Sequence, residues 1–182
     1  MIQSKADLKR YMKEDMPFYN NLSQKERFLY VITKDPLYLI AKYVRFLRKE
    51  EYYSNVRSDA MGKLLRLYYF RKKIALGNVL GFKIPRNCFG EGLMIYHHGC
   101  IIVNENVSVG ARCKLHGTNC IGNNGKTENV LRAGDDLDIG IGACVIGDVC
   151  LGDRVTVGAN AVVTKSFDQN GITLIGVPAK IK

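Results

Sequence analysis

The sequence predicts a mainly β protein with an α-helical N-terminal region: helices over residues 1–80 and a parallel β-helix of six-residue repeats over residues 81–182. Three observations predict it. Apolar residues recur every six positions from Val103 to Val163. Glycine usually follows the recurring residue. Before residue 80 the apolar period is helical instead.

The helical region shows its own start signals. Ser4-Lys5-Ala6-Asp7 and Ser23-Gln24-Lys25-Glu26 read as capping boxes, and Asp35-Pro36 as an N-cap followed by Pro at the first helical position. Behind Pro36, Leu37, Leu39, Ile40, Tyr43, Val44, Phe46 and Leu47 form an apolar stripe at helical spacing. A last helix is expected from about Ser58 to Leu76, ended by Gly77-Asn78. It carries Arg66-Leu67-Tyr68-Tyr69-Phe70-Arg71-Lys72-Lys73, which reads as a solvated basic face beside a buried aromatic one, or as a basic surface for peripheral membrane contact. Leu80 to Pro85 is the join.

In the second region the stepping residues are Val103, Val109, Leu115, Ile121, Ala133, Ile139, Val145, Leu151, Val157 and Val163. Gly110, Gly122, Gly134, Gly140, Gly152 and Gly158 follow six of them. Side chains alternate faces along a strand, so an even period returns the same position to the inside. No single repeat can bury its apolar residue alone, so the repeats stack as rungs of a coil. The fifth position is small or apolar at Val107, Cys113, Leu137, Ala143, Val149, Val155 and Ala161, with Asn119 as the exception. The phase breaks at residues 123–132, a polar, glycine-rich stretch read as a loop in which only Thr127 would take an inward slot. A C-terminal tail follows the last repeat.

Composition narrows the function classes. The formal charge is +10, which fits a phosphorylated ligand or an anionic surface; no nucleic-acid motif accompanies it. Six cysteines occur without a CxxC pair, and those at 113, 120, 144 and 150 read as reduced packing thiols. Met1-Ile2-Gln3-Ser4-Lys5 shows no secretory pattern and no apolar run spans a bilayer, so the expected location is the cytoplasm.

The histidines are His97, His98 and His116. A rung of about three repeats would put His116 nearly above His97, and the loop leaves the coil shortly after. All three histidines and the loop are therefore expected to converge. Histidine there can take a proton from a hydroxyl. Metal binding is the competing use, and no metal is expected, because the spacing suited to a shared zinc is missing. Cys100 lacks a flanking base that would make it a nucleophile.

These residues resemble a known family. Gly92-Leu93-Met94-Ile95-Tyr96-His97-His98-Gly99-Cys100-Ile101-Ile102-Val103, the loop Gly125-Lys126-Thr127 and the ending Ile175-Gly176-Val177-Pro178-Ala179-Lys180 are similar to the hexapeptide-repeat acyltransferases. Within them the chain looks like serine acetyltransferase and its relatives in polysaccharide O-acetylation. The resemblance implies a left-handed coil, a homotrimer with active sites between subunits, and acetyl-CoA as co-substrate. It implies His97 as the catalytic base, with Tyr96, His98, His116 and Arg132 toward the acceptor. Ala143, Ala161, Thr164, Lys165 and Lys180 match positions near acetyl-CoA.

Three family features are missing. The acid before the base is Tyr96, the Arg-His pair of the loop is Asn129-Val130, and the acid that orients the base falls on Phe82. A neutral sugar hydroxyl needs no carboxylate clamp. The expected function is accordingly acetyl-CoA-dependent O-acetylation of a sugar in surface or capsular polysaccharide synthesis. Serine O-acetylation in cysteine biosynthesis is the alternative, and a non-catalytic or metal-dependent coil the third reading.

Overall fold

A computed structural model describes residues 1–125 and 128–182. Lys126 and Thr127, including the inward slot expected of Thr127, lie outside the described residues. The chain opens with α1 (Lys5–Glu14), α2 (Pro17–Asn20), α3 (Gln24–Thr33), α4 (Pro36–Asn55) and α5 (Ala60–Leu80). The expected caps form at Ser23 and Asp35, while Ser4 caps without the reciprocal half of its expected box, because the Asp7 carboxylate accepts from Gln3 N instead. Ser4 Oγ accepts from Asp7 N, Ser23 and Glu26 cap each other reciprocally, and Asp35 accepts from Leu37 N ahead of Pro36. The short α2 carries none of these signals except Pro17 and was not anticipated.

Helix α5 starts after Asp59 and runs through Gly77-Asn78 to end at Gly81, in the left-handed region at φ 80°. The expected stop at Gly77 is therefore corrected. That glycine serves close approach: a Cβ there would stand 2.6 Å from Phe82 O, where the chain doubles back.

Short strands then form three faces. The first is β1 (Phe82–Lys83), β3 (Ile101–Val103), β6 (Cys120–Gly122), β9 (Cys144–Ile146) and β12 (Val162–Val163), in that order. The second is β10 (Cys150–Leu151), β7 (Arg132–Ala133) and β4 (Ser108–Val109). The third is β14 (Lys180–Ile181), β13 (Thr173–Ile175), β11 (Thr156–Val157), β8 (Asp138–Ile139), β5 (Lys114–Leu115) and β2 (Met94–Ile95). Pairing is parallel except where β14 folds back on β13. The chain visits third, first and second faces in turn, so each circuit adds a rung.

The stepping residues point inward: all are buried except Ala133, which is half-buried. Asn119, the polar exception, is buried and satisfied. Its Oδ1 accepts from Gly117 N, and its Nδ2 donates to Gly140 O and Ala143 O. It braces the corner between the third and first faces on successive rungs. The loop is shorter than expected, because Val130 and Leu131 are already back in the core. The cysteine expectation is corrected in part. Cys113 is buried inside the coil, whereas Cys120, Cys144 and Cys150 sit half-exposed on outward positions.

Helices and coil share one apolar core, running from Met16, Ile40, Tyr43 and Leu47 into Leu93, Ile95 and the inward repeat residues. A buried polar network pins the two together. Arg48 donates to Asp15 Oδ2 (2.8 Å), Glu51 Oε2 (3.0 Å), Phe89 O (2.9 Å) and Gly90 O (2.6 Å). Asp15 Oδ1 in turn accepts from Leu93 N, and Glu51 Oε1 from Asn87 N. Residues 87–93 lead directly into β2 and His97, so α1 and α4 fix the rung on which His97 stands.

Candidate active site

The corner between the third and first faces carries the histidines. On the lowest rung it holds Tyr96, His97 and His98; one rung up it holds His116 to Asn119. The register Ile95↔Leu115 sets Tyr96 beside His116 and His97 beside Gly117. The sequence alignment of His97 with His116 is thus off by one residue. The Tyr96 and His116 rings stack at 4.4 Å and 15°. Gly117 sits at φ 112°, a conformation that favours glycine, and a Cβ there would only touch His97 Cβ at 3.4 Å. Phe18 of α2 packs edge-on against Tyr96, with centroids 5.6 Å apart.

His97 and His98 are both exposed, and His97 makes no hydrogen bond among the described residues. His116 is the histidine with a carboxylate. Its Nε2 lies 2.9 Å from Asp138 Oδ1, and Lys114 Nζ lies 3.7 Å from Asp138 Oδ2. A carboxylate only accepts, so Nε2 carries the hydrogen and Nδ1 is left for another partner. Asp138 and Lys114 escaped sequence reasoning. The signal available was the outward phase of Asp138 in Asp135-Asp136-Leu137-Asp138, which becomes useful only once the loop's length is known.

Phe82 is buried and packs edge-on against Tyr43 at 5.3 Å, so the slot of the orienting acid is a core aromatic. Ala143 and Ala161 lie on the same corner as His97, on higher rungs, with their side chains turned fully inward. Only their backbone can face a ligand there. Thr164, Lys165 and Lys180 are exposed near the C-terminal end of the coil, where Lys165 Nζ sits 5.4 Å from the Phe167 ring centroid.

Two expected members do not join this corner. The loop leaves after β6, at the next corner. Arg132 is on the second face, held by Asp148 Oδ1 (2.9 Å) and Cys150 Sγ (3.2 Å). Those contacts, the Cys150 hydrogen bond first, raise its pKa above the usual arginine value. Within one chain, the loop and Arg132 are separate from the histidines.

Comparison with known proteins identifies the company this chain keeps. No family model matches it. Serine acetyltransferase of Helicobacter pylori J99 is 32% identical over 105 residues, which is 56% of this chain and 61% of that protein. Serine acetyltransferase of Synechococcus elongatus is 27% identical over 99 residues, 53% of this chain and 40% of that protein. Serine acetyltransferase from Brucella abortus strain S19 superposes with a TM-score of 0.75 at 19% identity, covering 98% of this chain and 70% of that one. Soybean serine acetyltransferase complexed with serine gives 0.74 at 20% identity, with the same coverage. The chain is similar in sequence to serine acetyltransferases over little more than half of its length, and in fold over nearly all of it. Its fold, helices included, is theirs. It spans 61% of the length of the Helicobacter relative.

This overturns the expected sugar acceptor and the polysaccharide pathway. The matched relatives described above are serine acetyltransferases. What favours a sugar is only the groups missing at Tyr96, Asn129, Val130 and Phe82. A missing clamp does not specify another acceptor.

Proposed function

We propose that this chain is an acetyl-CoA-dependent serine O-acetyltransferase, with the left-handed coil and homotrimeric assembly that its resemblance implies. One observation carries the reading: His97 stands exposed next to Tyr96, whose ring stacks on His116, the histidine held by Asp138 with Lys114, in a chain similar to serine acetyltransferases. Serine needs a base for its hydroxyl and a place for two opposite charges. His97 supplies the base. Lys114 and Asp138 offer a cation for the carboxylate and an anion for the ammonium.

In this reading His97 removes the hydroxyl proton as the serine oxygen attacks the thioester carbonyl. The C–S bond of the tetrahedral intermediate then breaks, and the leaving CoA sulfur takes the proton back from the imidazolium. The products are O-acetylserine and CoA, with no acyl-enzyme. His116, held by Asp138 and stacked on Tyr96, forms the wall of the acceptor site. The CoA arm would run up the corner past the backbone at Ala143 and Ala161, whose inward side chains leave the way clear. Lys165 and Lys180 would meet its phosphates beside Thr164. A cytoplasmic location belongs to this reading.

The test is thiol release from acetyl-CoA with L-serine as acceptor. Serine-dependent release that is lost in His97→Ala, with acetyl-CoA binding retained, is the expected result. Release no faster with serine than in buffer overturns the acceptor, and full activity in His97→Ala overturns the base.

A further inference from the structure

Helix α5 has two apolar faces, and one of them packs against α4 and β1. Gly62, Lys73, Gly77 and Leu80 face inward, and the helix packs along α4. The opposite face is open. Leu64 is 60% exposed, Leu67 51% and Tyr68 49%. With Arg71, Lys72 and Ala75 they line an open groove of about 460 Å³. The aromatic face read from the sequence as buried is therefore partly in solvent.

The charge around this face has one sign. From Ala60 to Gly90 the chain has no Asp or Glu. Lys63, Arg66, Arg71 and Lys72 are exposed, and none of them is ion-paired among the described residues. The remaining cation of α5, Lys73, is buried against Glu50 at 2.7 Å and takes no part. An apolar stripe with unpaired cations along it is the pattern of a helix lying in a membrane interface, with its apolar side chains inserted and its basic heads at the phosphates. A second copy seated on the same stripe would bring two unneutralised cationic rows together. Among the described residues, no helix is long and apolar enough to cross a membrane, so the contact is peripheral.

We propose that the outer face of α5 docks this protein on an anionic lipid bilayer, with Leu64, Leu67 and Tyr68 entering the headgroup boundary and Lys63, Arg66, Arg71 and Lys72 meeting lipid phosphates. The inference does not depend on the acceptor or on His97.

The test is flotation of the full chain with phosphatidylglycerol–phosphatidylcholine vesicles against pure phosphatidylcholine. Partition should be at least ~10-fold higher on the anionic vesicles and fall as salt is raised. Arg71→Glu with Lys72→Glu should cut it by ~20-fold or more, at ~5-fold for each cation removed. Leu64→Glu with Leu67→Glu should abolish it, with helix content and melting temperature unchanged, because both side chains are exposed. The chain has no tryptophan, so Tyr68→Trp adds a single fluorophore, whose emission should shift to the blue on anionic vesicles. No flotation, or flotation indifferent to the Leu64 and Leu67 changes, overturns the proposal. So does self-association that those changes abolish in a protein that ignores vesicles, which would give the face to a second copy.

Discussion

His116 Nε2 and Asp138 Oδ1 lie 2.9 Å apart across neighbouring rungs of the coil, and Tyr96 stacks on the same imidazole from the rung below. The carboxylate and the aromatic face together fix the ring's orientation, and Lys114 shares the carboxylate. The arrangement groups a positioned imidazole, an ammonium and a carboxylate, with the imidazole stacked on Tyr96, the residue before His97. If this cluster holds serine, Asp138→Asn should raise the KM for serine by about 10-fold to 100-fold, the worth of a lost charge-assisted hydrogen bond. The KM for acetyl-CoA should stay as it is. Initial rates with each substrate varied in turn check this, and equal rises in both KM values would count against it.

His97 has a different signature. A base acts on the transferred proton, so His97→Ala should lower kcat by about 10²–10⁴-fold. Acetyl-CoA should still bind, as read by calorimetry. His98→Ala, altering an exposed neighbour on the same rung, should leave kcat within a few-fold, and a comparable loss there would move the base to His98.

The site was only partly legible beforehand, and the reason is geometric. A period of six fixes which residues face inward, and every stepping residue but the half-buried Ala133 is buried. It does not fix vertical alignment. Each turn may take a residue more or less, and the register Ile95↔Leu115 brings Tyr96, not His97, under His116. Asp138 was harder, since its rung follows the loop that displaces the repeat count. Gly77 misled for another reason: a glycine required by close approach to Phe82 O looks in sequence like a helix stop. The Arg48 network was invisible because Arg, Asp and Glu on amphipathic helices normally face water.

That network makes a stability prediction. Asp15 is pushed above the usual carboxylate range by burial, and Arg48 opposes the shift. Arg48→Met would leave Asp15 and Glu51 buried without their cation, at a cost of about 3–5 kcal/mol. A urea titration should show the midpoint falling accordingly. Adding Asp15→Asn and Glu51→Gln should recover part of the loss, because the penalty comes from the orphaned charges. If the triple variant is no more stable than Arg48→Met alone, the network acts through its bonds to Phe89 O and Gly90 O instead.

Buried thiols give the chain a limit on the alkaline side. Burial raises the pKa of Cys88 to about 12, against an ordinary 9.0. Cys113, enclosed in the coil, is pushed up further by the same cause. In the unfolded chain both thiols would ionise near their ordinary value, so above it the unfolded state binds fewer protons than the folded one. Stability is then intact below about pH 9 and declines as pH climbs from about 9 toward about 12. Urea midpoints across that interval should show the fall, and Cys88→Ala with Cys113→Ala should flatten it at some cost in packing at every pH. The same burial sets reactivity. A thiol reagent applied to the native protein should reach exposed Cys100 first, and Cys88 and Cys113 only on unfolding. Early labelling of Cys113 would mean that the coil opens locally, and the alkaline decline should then be shallower than the thiol shifts imply.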